Sequence, residues 1–274
     1  MNIWEGSFKI SQRVVVITGG ASGIGLTIAQ FMLEAGVRVI CVDFDEIACN
    51  NARKMFLEKG NECLIVNGDI RNPDTCQSVL SILNENKLTD WTLINNASLR
   101  IKSDILSETP TTWKNQMDVM LSAPFMWMQD FMNYLLDNRD GKGLIINISS
   151  VASRYATGES PAYHAAKAGL ESLTRFFSVH APRLNINLIV CALRVGYVLK
   201  ETNKESFWST ENNEYAEKVK TYLPGGAIPT DKLLAEMIYW IFSNYNKFIN
   251  GAVIDLDSGA NNQDPWFLLN NKLS

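Results

Sequence analysis

Tyr163 and Lys167 stand four residues apart in Tyr163-His-Ala-Ala-Lys167, a spacing that puts both on one face of a helix, about one turn from each other. A lysine cation beside a phenol favours the phenolate, so the pair suits a general acid/base. Of the eight tyrosines, this is the only one with lysine at the fourth position after it. Ser150, thirteen residues before Tyr163, closes Leu144-Ile-Ile-Asn-Ile-Ser-Ser150. That run reads as a strand, and its end is the carboxyl edge where open α/β sheets hold ligands. A hydroxyl there can hold a substrate oxygen beside the tyrosine. Ser150, Tyr163 and Lys167 are therefore the candidate catalytic residues.

A second constellation lies near the start of the chain. Thr18-Gly19-Gly20-Ala21-Ser22-Gly23-Ile24-Gly25 follows an apolar run and precedes a segment of helical pattern. Glycines let the backbone turn sharply and approach a pyrophosphate, while the N-terminus of the next helix offers free N–H groups and the positive end of its dipole. Gly19, Ser22, Gly23, Ile24 and Gly25 are candidate cofactor-binding residues on that ground. The spacing is G-x-x-x-G-x-G rather than G-x-G-x-x-G, and the physical need is the same. Eighteen residues past Gly25, Asp43 ends the second apolar run. A carboxylate there accepts hydrogen bonds from the adenosine ribose and repels a 2'-phosphate. The glycine turn has no Arg or Lys to counter it, so NAD is expected in preference to NADP.

The elements that must position these groups follow from hydrophobic periodicity. Short β-branched runs at 14–17, 37–42, 63–66, 92–94, 144–148, 186–190 and 253–256 read as seven strands. Helical segments fall near 24–35, 45–59, 73–86, 111–136, 161–180 and 231–244. Continuous apolar strands separated by helices predict an α/β, Rossmann-like, doubly wound parallel sheet with helices on both faces. No linker, repeat or low-complexity tract divides the chain, so one domain over residues 1–274 is expected. The polar stretch 197–230, with Phe207, Trp208 and Tyr215, reads as a lid over the site. The tail 260–274 carries an apolar patch, Trp266-Phe-Leu-Leu269, suited to packing on the domain or on a partner subunit.

Composition narrows the class. The chain has 274 residues, 46% of them hydrophobic and 20% charged, with a formal net charge of -4. It can bury a full core, and its mild acidity argues against nucleic acid or an anionic membrane as partner. Five cysteines without a C-x-x-C pair, and only two histidines, give no metal site and suggest unpaired thiols in a reducing compartment. The start of the chain does not read as a signal peptide, and no apolar run approaches the ~20 residues of a membrane span. The expectation is a soluble, cytoplasmic protein.

Turn, acid, serine and Y-x-x-x-K, in this order and at these separations, resemble the single-domain short-chain dehydrogenases/reductases from about residue 10 to about 260. The resemblance implies hydride transfer between NAD and a secondary alcohol or ketone. Tyr163 would be the acid/base, Lys167 would bind the nicotinamide ribose and assist proton relay, and Ser150 would fix the reacting oxygen. It implies that Asp69 and Ile70 contact the adenine, that Asn96, in Asn95-Asn96-Ala97, meets the cofactor, and that the Val198 backbone meets the nicotinamide amide. It also implies dimers that pair into tetramers, in keeping with the surplus of apolar residues on the predicted 111–136 and Tyr163 helices.

Four positions depart from the family pattern. Met120 stands where an Asn usually carries the relay water, Ser98 replaces a Gly, Val195 replaces a Pro, and Lys200 lies near a usual Thr. Met120 keeps a second reading open, an NAD-binding sensor or structural subunit with little activity; a third is an NAD-assisted epimerase or dehydratase that returns the hydride to the same substrate. Arg100, Arg154 and Arg194 all fall near the predicted cleft, and their convergence would suit a substrate carboxylate or phosphate, as on a hydroxy acid or acidic sugar.

Overall fold

Each apolar run pairs with its neighbours and feeds a helix that returns across the sheet. The computed structural model describes residues 13–200, 203, 207, 213–224, 228–244 and 247–262. Seven strands form one sheet: β1 (Val14–Thr18), β2 (Arg38–Asp43), β3 (Leu64–Asn67), β4 (Asp90–Asn95), β5 (Lys142–Ser150), β6 (Leu188–Val195) and β7 (Val253–Leu256). The order is β3-β2-β1-β4-β5-β6-β7 and every pairing is parallel. The fold is the expected Rossmann-like α/β arrangement. Its winding direction reverses between β1 and β4, which opens a crevice at their carboxyl ends.

Both faces of the inner strands are buried, which is why those strands read as apolar runs. Val15 and Ile17 pack on one side with Ile28 and Met32 of α1 (Gly23–Glu34), Phe56 of α2 (Glu46–Glu58) and Ile238 of a helix at Asp231–Asn244. Val14 and Val16 point the other way, toward Val79 and Leu83 of α3 (Pro73–Glu85). The same face holds Trp127 and Phe131 of a helix at Ala123–Asp137 and Phe177 of one at Pro161–Arg183. No described helix is long and apolar enough to cross a membrane.

Three differences from the periodicity reading matter to the site. The single helix expected at 111–136 is broken into α4 (Pro110–Met117), one π-helical turn at Asp118–Ser122, and α5 (Ala123–Asp137). Such turns insert a residue into a helix and are frequent at functional sites; this one centres on the fully buried Met120. Strand β6 runs to Val195 rather than stopping at 190, because Cys191, Ala192 and Leu193 continue the buried ladder. The 197–230 stretch contains a helix, α7 (Asn213–Tyr222), which follows α6 (Pro161–Arg183) and precedes α8 (Asp231–Asn244). Trp208 and the apolar patch at 266–269 lie outside the described residues.

Candidate active site

A cleft of about 1480 Å³ lies along the carboxyl ends of the strands. It exceeds the ~300–1000 Å³ usual for one small ligand, leaving room for a cofactor and a substrate together. One end is built by the glycine turn. Gly19 has φ +64° and its N–H donates to the Val42 carbonyl at 2.7 Å, joining the turn to β2. A side chain on Gly25 would place its Cβ 2.0 Å from the Gly19 carbonyl oxygen, so the turn closes only over glycine. Ser22 caps α1 in extended conformation with no side-chain capping bond. The first N–H groups of the helix, from Gly23 to Gly25, are therefore left for a ligand.

Asp43 stands beside this turn at the end of β2. It is buried, and its carboxylate accepts the Ala21 N–H and the Asp45 N–H, both at 3.2 Å. Asn96 faces the turn from the end of β4, and its side-chain amide donates to the Thr18 and Gly19 carbonyls at 3.0 Å each. That amide group is spent on holding the turn. Ile70 lines the cleft next to Asp69, and its carbonyl accepts the Trp127 indole N–H at 2.9 Å. Arg71, not singled out in the sequence, lines the cleft beside Asp69 and Ile70. Its guanidinium is gripped by Asp69 at 2.6 Å, and the same hydrogen bonds hold the Asp69 carboxyl below the usual carboxylate range.

The other end carries Ser150, Tyr163 and Lys167, all lining the cleft. Ser160 caps α6: its hydroxyl accepts the Tyr163 N–H at 3.2 Å and donates to Gln116 Oε1 at 2.8 Å. Tyr163 and Lys167 follow on the first two turns, with Lys167 Nζ 5.6 Å from the tyrosine ring centre. Lys167 is buried and donates to the Ile148 carbonyl at 2.8 Å. Burial, and then the charge of Arg100, push its amine down to about 7. The Ser150 hydroxyl accepts the Ala152 N–H at 3.3 Å.

Two departures from the family pattern touch each other. The Ser98 hydroxyl donates to the Met120 sulfur at 3.3 Å, and Met120 packs against Tyr163, Ala152 and Ala166. The place where the resemblance puts a side-chain amide is thus filled by a buried thioether. Val195, Val198 and Lys200 line the far wall, and Lys218, Val219 and Tyr222 of α7 line the mouth.

The three arginines do not converge. Arg100 alone of them lines the cleft, where its guanidinium donates to the Tyr163 hydroxyl at 3.2 Å. Arg154 lies over the Tyr155 ring, 5.3 Å from its centre, and Glu159 pairs with Arg100 at 3.5 Å. Arg194 turns to the opposite side of β6 from Val195 and pairs with Glu171 and Asp255 at 2.7 and 2.6 Å. It belongs to a clamp that the sequence reading missed. Glu171, one turn beyond Lys167, also accepts the Ser149 and Ser153 hydroxyls, which flank Ser150. The signal was available: an acid four residues after Lys167 on the same buried helix face requires a partner.

A sequence model of the short chain dehydrogenase family matches residues 13–210. An uncharacterized oxidoreductase of Schizosaccharomyces pombe is 27% identical over 250 residues, 91% of each chain. An NAD-dependent glycerol dehydrogenase of Listeria innocua is 25% identical, over 93% of this chain and 96% of its own length. A solved 4-hydroxyisoleucine dehydrogenase complexed with NADH superposes with a TM-score of 0.79 at 25% identity, covering 92% of this chain and 100% of that one. With the family model matching most of the chain over the strands and helices that build both ends of the cleft, the protein belongs to the short-chain dehydrogenase family of oxidoreductases.

Proposed function

We propose that the protein is an NAD-dependent oxidoreductase that interconverts a secondary alcohol and a ketone. The observation that carries this reading is the meeting of Ser150, Tyr163 and Lys167 at one end of a cleft whose other end is a glycine cradle beside Asp43. The glycine cradle fits a dinucleotide, since Cβ atoms at Gly19 and Gly25 would collide with backbone. The free N–H groups of α1 take the pyrophosphate, and Asp43 takes the adenosine ribose hydroxyls. Asp69 and Ile70 flank the adenine, and the Asn96 amide keeps the turn in shape. Lys167 and the Val198 backbone face the nicotinamide half. When bound, the nicotinamide supplies the hydride acceptor.

On this reading Ser150 orients the substrate oxygen, and Tyr163 exchanges its proton. Lys167, balanced near 7, passes a proton at neutral pH. Preference for NAD over NADP rests on Asp43 and on Arg71 being tied to Asp69 rather than turned toward a 2'-phosphate. The relatives named above include an enzyme described as NAD-dependent and a structure holding NADH, which agrees with this preference. The α7 segment serves as the lid, and an acidic substrate is favoured through Arg100. A second reading, an NAD-binding protein of low activity, is favoured by the Met120 and Ser98 pair.

The test follows NADH absorbance with NAD or NADP and a panel of hydroxy acids, sugar acids, sugars and aliphatic alcohols. Turnover with NAD that Tyr163→Phe lowers by at least about a hundredfold is expected. Silence across the panel while NAD still raises the Tm would support the binding-only reading. Preference for NADP would overturn the argument from Asp43.

A further inference from the structure

Resting on the oxidoreductase reading above, we infer that the substrate pair is a 2-hydroxy acid and its 2-oxo acid, with Arg100 holding the carboxylate. Arg100 Nη2 lies 3.2 Å from the Tyr163 hydroxyl, and its guanidinium carbon stands 5.2 Å from the ring centre. A fixed positive charge therefore sits one hydrogen-bond length from the atom that exchanges the substrate proton. Any oxygen bound by Tyr163 and Ser150 has this guanidinium beside it.

That distance selects where the carboxylate must be. When the carboxylate is bonded to the carbinol carbon itself, its oxygens lie close to the reacting hydroxyl. A circuit of contacts of about 2.8 Å then closes from Tyr163 to the substrate hydroxyl, on to a carboxylate oxygen, and back through Arg100. A carboxylate several carbons away, as at the far end of a sugar acid, overshoots the guanidinium. A neutral alcohol leaves its charge facing only Glu159.

Arg100 is positioned to make the exchange. Its side chain is 61% exposed, and its ion pair with Glu159 is long, at 3.5 Å. Exposed pairs of this kind are weak, so a substrate carboxylate competes well for the planar fork, which takes carboxylates through two parallel hydrogen bonds. Among the described cations lining the cleft, Arg100 is the one that bonds the Tyr163 hydroxyl: Arg71 pairs with Asp69 at 2.6 Å, Lys218 forms an exposed pair with Glu214 on α7, and Lys167 donates to the Ile148 carbonyl. Lys200 is exposed on the wall beyond β6.

In the oxidative direction the C2–H bond breaks, and its electron pair leaves as hydride to the nicotinamide of NAD, which is reduced to NADH. The hydroxyl proton passes to Tyr163 and C2 becomes a carbonyl. The carboxylate is unchanged and serves as a handle.

The experiment measures binding apart from turnover. Pyruvate, 2-oxoisocaproate and phenylpyruvate are titrated in the presence of NAD, with which they cannot react, and the Tm of wild type, Arg100→Gln and Arg100→Lys is followed. At least one acid should raise the Tm of the wild-type complex, while its amide should not. Its apparent affinity should fall at least about tenfold in Arg100→Gln, with partial retention in Arg100→Lys. In turnover, the preference for the 2-hydroxy acid over its amide should fall by the same factor. Equal affinity in wild type and Arg100→Gln, or no acid binding to wild type, overturns the inference. Failure of the oxidoreductase reading looks different: NAD alone leaves the Tm unmoved. If Arg100→Gln does not fold, Arg100→Lys, which keeps the charge and loses the fork, carries the same comparison.

Discussion

Burial of an amine beside a permanent guanidinium gives Lys167 a proton affinity that differs between the native and unfolded chain. In the native protein its amine is pushed down to about 7, against an ordinary value of 10.5. Below about pH 7 both forms carry the proton and the burial cost of the cation is fully present. Between about 7 and 10.5 the unfolded chain holds a proton that the native protein has released, so stability rises with pH across that window. Lys167→Met should remove this contribution. The stability of wild type relative to the variant, from urea unfolding at pH 6, 7, 8 and 9, is expected to climb steadily above pH 7. A flat difference would mean that Lys167 stays charged when folded. At this scale the sequence is informative where chemistry is local: Tyr163, Lys167, Ser150 and Gly19 are singled out by type and spacing alone, and the structure brings them to one cleft. Arg100 was found only as a basic residue after β4, because its contact with Tyr163 spans 63 positions and depends on the path of the loop.

Elements carry what single residues cannot show. The clamp of Glu171, Arg194, Ser149 and Ser153 ties α6 to β5, β6 and the turn after Ser150, so Tyr163 and Lys167 are held in register with Ser150. Burial pushes the Glu171 carboxyl up, and the hydrogen bonds from Arg194, Ser153 and Ser149 outweigh it, leaving the carboxyl below its usual range. Its support is thus present above the unfolded value of about 4.3 and is lost as pH falls through the lower native value. Glu171→Gln should cost about 3 kcal/mol, since it leaves Arg194 with a lost partner in a largely buried place. Urea unfolding at neutral pH checks this, and a cost below about 1 kcal/mol would show the pair to be solvent-screened. Arg194 was misplaced in the sequence reading because β6 was ended at Val190. Once the strand runs to Val195, alternation alone sends Arg194 and Val195 to opposite faces. The π-turn at Met120 was illegible for a different reason: one inserted residue leaves helical periodicity almost intact over the flanking turns.

For the whole molecule, the alternation of apolar strands and helices was enough to read the sheet, its parallel sense and the position of the cleft, because burial on both faces marks the inner strands. What periodicity cannot separate is an apolar helix face that meets the sheet from one that meets another subunit. The structure separates the face that meets the sheet from the face left exposed. On α5, Trp127, Met128 and Phe131 are buried against the sheet, while Met126 remains 46% exposed. On α6, Phe177 is buried, while Phe176 and Val179 are 54% and 50% exposed, with the Phe176 ring tilted against His180 at 4.1 Å between centres. These residues lie on the outer surfaces of two helices that pack side by side, and a second copy of the chain presenting the same helices would cover them through a two-fold interface. Light scattering of the wild type at working concentration is expected to give a dimer or tetramer mass. Phe176→Glu puts a charge into that contact and should shift the mass toward the monomer. The same substitution should leave the NAD-dependent rise in Tm in place, since Phe176 does not line the cleft. A monomeric wild type would remove the α5 and α6 surface as an interface, whereas an oligomer unaffected by Phe176→Glu would place the contact elsewhere on the molecule.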